Sequence, residues 1–158
     1  MALLSSSSFT TIVKTPCIGV CSTGIGDNVC RGCKRFAAEV IHWNGLTRNE
    51  RVVIYKRLEK LLLPIVESYL VVRDEALLRE QMAAYQIDDD DYIGVGTRVL
   101  RVLQAGSTQI DDPALFGLAK LDKALDLPQI KGRIDEDFHK ISVAHYDRYF
   151  VEPHKHHR

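Results

Sequence analysis

Four cysteines, Cys17, Cys21, Cys30 and Cys33, stand within seventeen residues, and the 158-residue chain has no others. They form two close pairs, Cys17-Ile-Gly-Val-Cys21 and Cys30-Arg-Gly-Cys33, joined by a short loop that contains Gly24 and Gly26. A tetrahedral four-cysteine site needs four sulfurs about 2.3 Å from one ion, and a close pair lets one tight turn supply two of them. Gly19 and Gly32, one inside each pair, let the backbone fold close to the ion. Arg31, Lys34 and Arg35 offset the charge of four thiolates. The pattern predicts one site, holding Zn2+ or an iron–sulfur cluster on all four cysteines. Zinc sites use these spacings, whereas the spacing follows neither familiar ferredoxin run. Residues 15–33 carry turn chemistry and no apolar periodicity. Metal binding, worth about 10–16 kcal/mol in small zinc modules, would then in effect be their folding energy.

Two other chemistries use cysteine pairs. Cys30 and Cys33, ahead of a helix and beside basic residues, match a reactive dithiol, which predicts a thiol oxidoreductase. That reading wants a βαβ context, absent from the sequence, and gives Cys17 and Cys21 no role. Structural disulfides belong to oxidising compartments. No Ser/His/Asp set, paired carboxylates or phosphate-binding loop is spaced for catalysis, so no catalytic residue is assigned.

The elements that must position the cysteines read as helices. From Lys34, Phe36, Val40 and Trp43 share one face, with Ala37 and Ile41 beside them. Asn44-Gly45-Leu46 is a helix stop, and Thr47-Arg-Asn-Glu50 matches a capping box. A second helix follows through Val52, Tyr55, Leu58 and Leu62, with Pro64 ending it or opening the next element. Asp74 caps a third helix, and Asp88–Asp91 read as a solvated cap for a fourth that contains Val99 and Leu103. Asp112-Pro113 predicts a helix start running on through Phe116, Ala119 and Leu125, and a last helix carries Phe138, Ile141, His145 and Tyr149. No hairpin chemistry or βαβ rhythm appears. The expected class is all-α: a small four-cysteine metal-binding loop packed on a helical hairpin, then about four more helices.

The cysteine segment resembles a widespread bacterial family of uncharacterised small proteins. The resemblance lies in Pro16-Cys17-Ile18-Gly19-Val20-Cys21, Cys30-Arg31-Gly32-Cys33-Lys34-Arg35 and Glu39-Val40-Ile41-x-Trp43. It covers about residues 15–60. Members of that family are commonly labelled predicted iron–sulfur proteins, so the resemblance implies a cluster on the same four cysteines, with Gly32, Arg35, Glu39 and Trp43 as its companions. The chain departs from the family in Phe36, where a small polar residue is usual. Trp43 reads as the anchor packing the first helix onto the metal loop, and Arg35 and Glu39 as an i, i+4 pair.

Composition bounds the rest. Charge balances, with 21 Lys+Arg against 21 Asp+Glu, so nothing points to nucleic acid or an anionic membrane. Residues 1–63 carry nine basic and four acidic side chains, and residues 64–158 twelve and seventeen. The organisation expected is a flexible leader (1–14), a four-cysteine metal-binding module with two helices (15–63), an acidic helical domain (64–150) and a His-rich tail (151–158). Leu61 to Val72 is interrupted by Pro64 and Glu67, and no stretch reaches the eighteen apolar residues of a spanning helix. With thiols unpaired, the expected location is the cytoplasm. The expected role is a metal-organised surface for a protein partner; the alternative is electron transfer through an iron–sulfur cluster.

Overall fold

The structure, a computed structural model, describes residues 12–153. Most of the expected leader, residues 1–11, and the histidines at 154, 156 and 157 lie outside the described residues. The fold is mostly helical, as the periodicity predicts. In chain order come α1 (Ala37–His42), α2 (Arg48–Glu67), β1 (Leu70–Val72), α3 (Glu75–Ala84), α4 (Val95–Gly106), β2 (Leu118–Lys120) and α5 (Leu127–Tyr146).

Helix α2 is the axis. Ile54, Leu58, Leu62 and Val66 recur every four residues on its buried face, the spacing that stacks side chains along one stripe. They meet Val99, Val102 and Leu103 of α4, Ile130, Ile134 and Phe138 of α5, and Leu78 and Met82 of α3 in one continuous core. That core runs across residue 64, so the cysteine-bearing half and the acidic half share their buried surface. Pro64 does not end α2 but sits inside its last turn, on an exposed flank, where the Ser68 hydroxyl donates to its carbonyl at 2.9 Å.

The expected caps form at Thr47, which accepts from Glu50 N at 3.2 Å, and at Asp74, which accepts from Leu77 N at 2.9 Å. Three readings are corrected. Asp112 does cap, but it opens only a single 3-10 turn, Pro113–Phe116, broken by Gly117 at φ 70°. The chain then pairs antiparallel with β1, Leu70 opposite Lys120 and Val72 opposite Leu118. Local sequence cannot reveal a two-strand pairing whose members lie so far apart. Of Asp88–Asp91, only Asp88 and Asp91 are exposed; Asp89 and Asp90 are tied into an arginine network and do not cap α4. Arg98, 6% exposed, donates to Asp89 at 2.7 Å, Arg79 reaches the other oxygen of Asp89 at 2.8 Å, and Arg101 pairs with Asp90 at 3.2 Å. Burial pushes the Asp89 carboxyl up, but hydrogen bonds from Arg98 and Arg79 outweigh it and hold the group below the usual carboxylate range. The cap of α4 comes instead from Glu59 on α2, which accepts from Gly96 N at 2.7 Å and Thr97 N at 2.9 Å.

The end of the leader is also part of the body. Val13 is 2% exposed, Tyr55 donates to Lys14 O at 2.7 Å, and Lys14 N donates to Tyr92 Oη at 3.1 Å. Residues 12–14 thereby fix where the cysteine segment leaves the core.

Candidate metal centre

The second cysteine pair sits in a tight reversal of the chain. Cys30 N donates to Arg35 O at 2.9 Å, Lys34 N to Cys30 O at 2.8 Å, and Ala37 N to Asn28 O at 2.8 Å. Val29 and Phe36 form a bridge across its base. Lys34 closes the turn at φ 66°, a left-handed conformation that costs a non-glycine residue free energy and is held only by surrounding structure. This reversal delays α1 until Ala37, three residues later than the periodicity suggests. The N–H groups near the cysteines therefore come from the turn and not from a helix end.

Within the turn both sulfurs are enclosed. Cys30 is 1% exposed and Cys33 8%. Burial alone would raise the Cys30 thiol. Backbone hydrogen bonds from Cys33, Ser22 and Gly32, and one from the Cys33 side chain, outweigh it and bring the group down to about 7. Burial dominates at Cys33 and pushes that thiol up, although Arg35 opposes it. The Arg35 Nε–H donates to Cys33 Sγ at 3.2 Å. A small cavity lined by Pro16, Leu58, Leu62 and Phe138 lies against the inner side of Cys33.

The first pair is built differently. Cys17 and Cys21 are exposed. Gly19 N donates to Cys17 Sγ at 3.4 Å, and the Cys21 thiol shares a 3.2 Å hydrogen bond with the Thr23 hydroxyl. Gly19, at φ 88°, turns the chain between them. The two pairs are nevertheless pressed together through their backbones. A Cβ on Gly32 would collide with Val20 O and lie 3.3 Å from the Ile18 side chain. The Cys30 thiol donates to Val20 O at 3.6 Å, and Arg31 N donates to the buried Ser22 hydroxyl at 2.8 Å. Among the described residues no three Cys, His, Asp or Glu side chains converge closely enough to hold an ion as they stand. The structure thus joins Cys30 with Cys33 and brings the backbone of the first pair against them, while the sulfurs of Cys17 and Cys21 stay on the surface.

The supporting residues form a chain behind Cys33. Trp43, 6% exposed, has two guanidinium groups against its ring, Arg35 at 4.9 Å and Arg51 at 5.2 Å, and it meets Tyr55 edge-on. Arg35 thus links the anchor Trp43 to the sulfur of Cys33. The expected Arg35–Glu39 pair is replaced. Glu39 takes a two-pronged ion pair from Arg57, both contacts at 2.6 Å, and accepts from Phe36 N at 2.8 Å. His42 is exposed.

Sequence reasoning missed Lys34 as anything beyond a compensating charge. Its side chain is fully buried, and its ammonium donates to the carbonyls of Arg31 and Gly32 and, at 2.6 Å, to Asp135 on α5. His139, one turn beyond Asp135, was missed as well; its Nδ1 is buried without a hydrogen-bond partner. A lysine inside a polar, Gly-rich stretch gives no periodic signal, so only the structure reveals it as core.

Residues 15–62 match the model of a protein family of unknown function, DUF1289. The matched segment spans the four cysteines together with Gly32, Arg35, Glu39 and Trp43. No curated protein and no solved structure matches the chain.

Proposed function

We propose that this chain is a metal-binding protein in which Cys17, Cys21, Cys30 and Cys33 hold one metal centre, a zinc ion or an iron–sulfur cluster. The observation that carries the reading is the surround of Cys30. Cys30 lies buried with Cys33 in one tight turn, and the backbone of that turn brings its thiol down to about 7, toward the thiolate, the form in which sulfur binds metal. The close approach of Gly32 to Val20 supports a shared centre, because it holds the two pairs side by side. Cys17 and Cys21 complete the set by turning inward from their own exposed turn. Spacing favours zinc, and the family resemblance favours a cluster.

The centre shapes a docking surface for a protein partner. Ile18, Val20 and Ile25, all exposed, surround the first cysteine pair as an apolar rim, and burial of such a rim is what commonly drives association. A reducing compartment such as the cytoplasm suits four unpaired thiols. If the centre is a cluster, the same rim serves docking for electron transfer.

One observation favours a second reading. Cys30, brought down to about 7 beside the raised thiol of Cys33, has the asymmetry of a redox dithiol. Its 1% exposure weighs against this, since thiol–disulfide exchange requires access to the attacking sulfur.

Elemental analysis of protein purified without oxygen tests the proposal. One zinc per chain, or iron with bound sulfide and a brown colour, supports it, provided that Cys30→Ser removes the metal. A metal-free protein that exchanges disulfides, and stops doing so in Cys30→Ser, supports the dithiol.

A further inference from the structure

A second concave site shares no residue with the cysteine turn. The ends of α3 and α4 and the 3-10 turn Pro113–Phe116 surround a cavity of about 380 Å3, within the size range of small-molecule sites. Its walls are apolar and aromatic. Val102 is fully buried and Phe116 is 6% exposed, and both line it. Tyr85 and Leu115 line it as well, yet they are 66% and 63% exposed, and Tyr85 stacks on Phe116 with 5.6 Å between ring centroids. The backbone fixes this wall. Gln86 turns the chain at φ 56°, and Ile87 N donates to Met82 O at 2.8 Å, a helix-ending geometry that sets Tyr85 and Ile87 against one cavity.

The charge at this cavity has one sign. Asp111 lines it, is exposed and has no ion pair among the described residues. The last turn of α4 ends there. Ala105 lines the cavity, and no backbone N–H of the described residues donates to its carbonyl or to that of Gln104. Such a helix end carries partial negative charge and favours a cation. No Lys, Arg or His lines the cavity. The remaining polar side chain, Gln109, is an amide that both donates and accepts.

From this pairing of an apolar, aromatic wall with a carboxylate and a helix C-terminus, we infer that the cavity binds a small organic amine. The apolar body of the ligand is seated against Tyr85, Val102 and Leu115, and its ammonium lies at Asp111 and the carbonyl end of α4. Burial against the walls supplies the affinity, and the face of the Tyr85 ring adds attraction for the cation. The charge supplies the selectivity. An anion of the same shape would bring a carboxylate against a carboxylate and against the negative end of a helix.

Three compounds that share a phenyl group on a short tether test this: phenethylamine, phenethyl alcohol and hydrocinnamate, titrated into the full chain while backbone amide resonances are followed. Phenethylamine should give saturable shifts at Ile87, Gly106, Ile110 and Asp111. Phenethyl alcohol should bind there about fivefold or more weakly, the combined scale of an exposed ion pair and a helix end, and hydrocinnamate should give no shift. Asp111→Asn changes an exposed side chain and should weaken the amine by about threefold while leaving the alcohol unchanged. Tyr85→Ala should weaken both. No saturable shift at these amides with phenethylamine overturns the inference, as does equal affinity for the three compounds. An Asp111→Asn variant that binds the amine as the wild type does, or that loses amine and alcohol equally, overturns it too.

Discussion

The two cysteine pairs have the same elementary chemistry and opposite surroundings. Cys30 and Cys33 are buried in a turn that supplies backbone donors, a guanidinium on Cys33 and a cation beneath the loop. Cys17 and Cys21 are exposed and bond only within their own turn, to Gly19 N and the Thr23 hydroxyl. The comparison teaches how such a centre is assembled. One half is organised by the protein alone, because its backbone bonds to itself and packs on Trp43 and α5. The other half is held beside it by the close approach of Gly32 to Val20, and in the proposed centre the metal would close it.

The largest effect expected from this asymmetry is on loading. Cys30→Ser and Cys33→Ser should abolish metal retention, whereas Cys17→Ser and Cys21→Ser should weaken it, with metal per chain after dialysis as the measurement. Stripping metal with a chelator should raise amide hydrogen exchange most over residues 17–26 and least over α2, α4 and α5. The local stabilisation removed is on the order of the 10–16 kcal/mol of small zinc modules, less whatever the preformed half retains. Equal metal loss in all four variants would erase the distinction between the pairs.

Next comes Trp43→Ala. Removing a buried ring that two guanidinium groups cover should cost about 3–5 kcal/mol in denaturant unfolding. It should also lower metal affinity, because Arg35 loses the surface that aims it at Cys33. Unchanged affinity would mean that the cysteine turn stands independently of α1.

Gly32→Ala should cost less in global stability, about 1–3 kcal/mol for a local clash, yet reduce metal affinity clearly. Its methyl group would push Val20, and with it the first pair, off the second. A variant that binds metal normally would show that the backbone contact does not align the pairs.

The smallest effect is a pH dependence in the helical body. Burial, then Lys34 and Arg31, lowers His139; burial, then Arg57 and Lys60, lowers His145. Both protonate more readily when unfolded, so their contribution is complete above the ordinary histidine value of 6.5 and declines as pH falls below it. Denaturation midpoints measured at about pH 7 and pH 5 should differ less in His139→Gln and His145→Gln than in the wild type.

How much was legible in the sequence differs by region for physical reasons. Helix α2 and its cap were readable because Thr47, Glu50 and the apolar stripe are local signals. The start of α5 was equally local, as Asp126 and Gln129 form a capping box with Pro128 in the first turn, but it went unread between the helix expected through Leu125 and the last helix expected around Phe138. The Glu59 cap, the Arg98 network and the β1–β2 pairing join residues far apart in sequence, and no periodicity carries such information. At the site, spacing predicted four converging sulfurs; the structure joins Cys30 with Cys33, sets Arg35 on Cys33 and Trp43 behind Arg35, and leaves Cys17 and Cys21 exposed. The unequal burial of the pairs and the role of Lys34 depend on how the turn packs against α5, which composition does not encode.

The most direct test of the central claim is metal content set against exchange protection, on one sample purified without oxygen. Zinc, or iron with sulfide, is expected at one centre per chain, with protection over residues 17–33 that falls when the metal is removed. A chain that contains neither metal, and whose protection over those residues is the same before and after zinc is added, would contradict the claim.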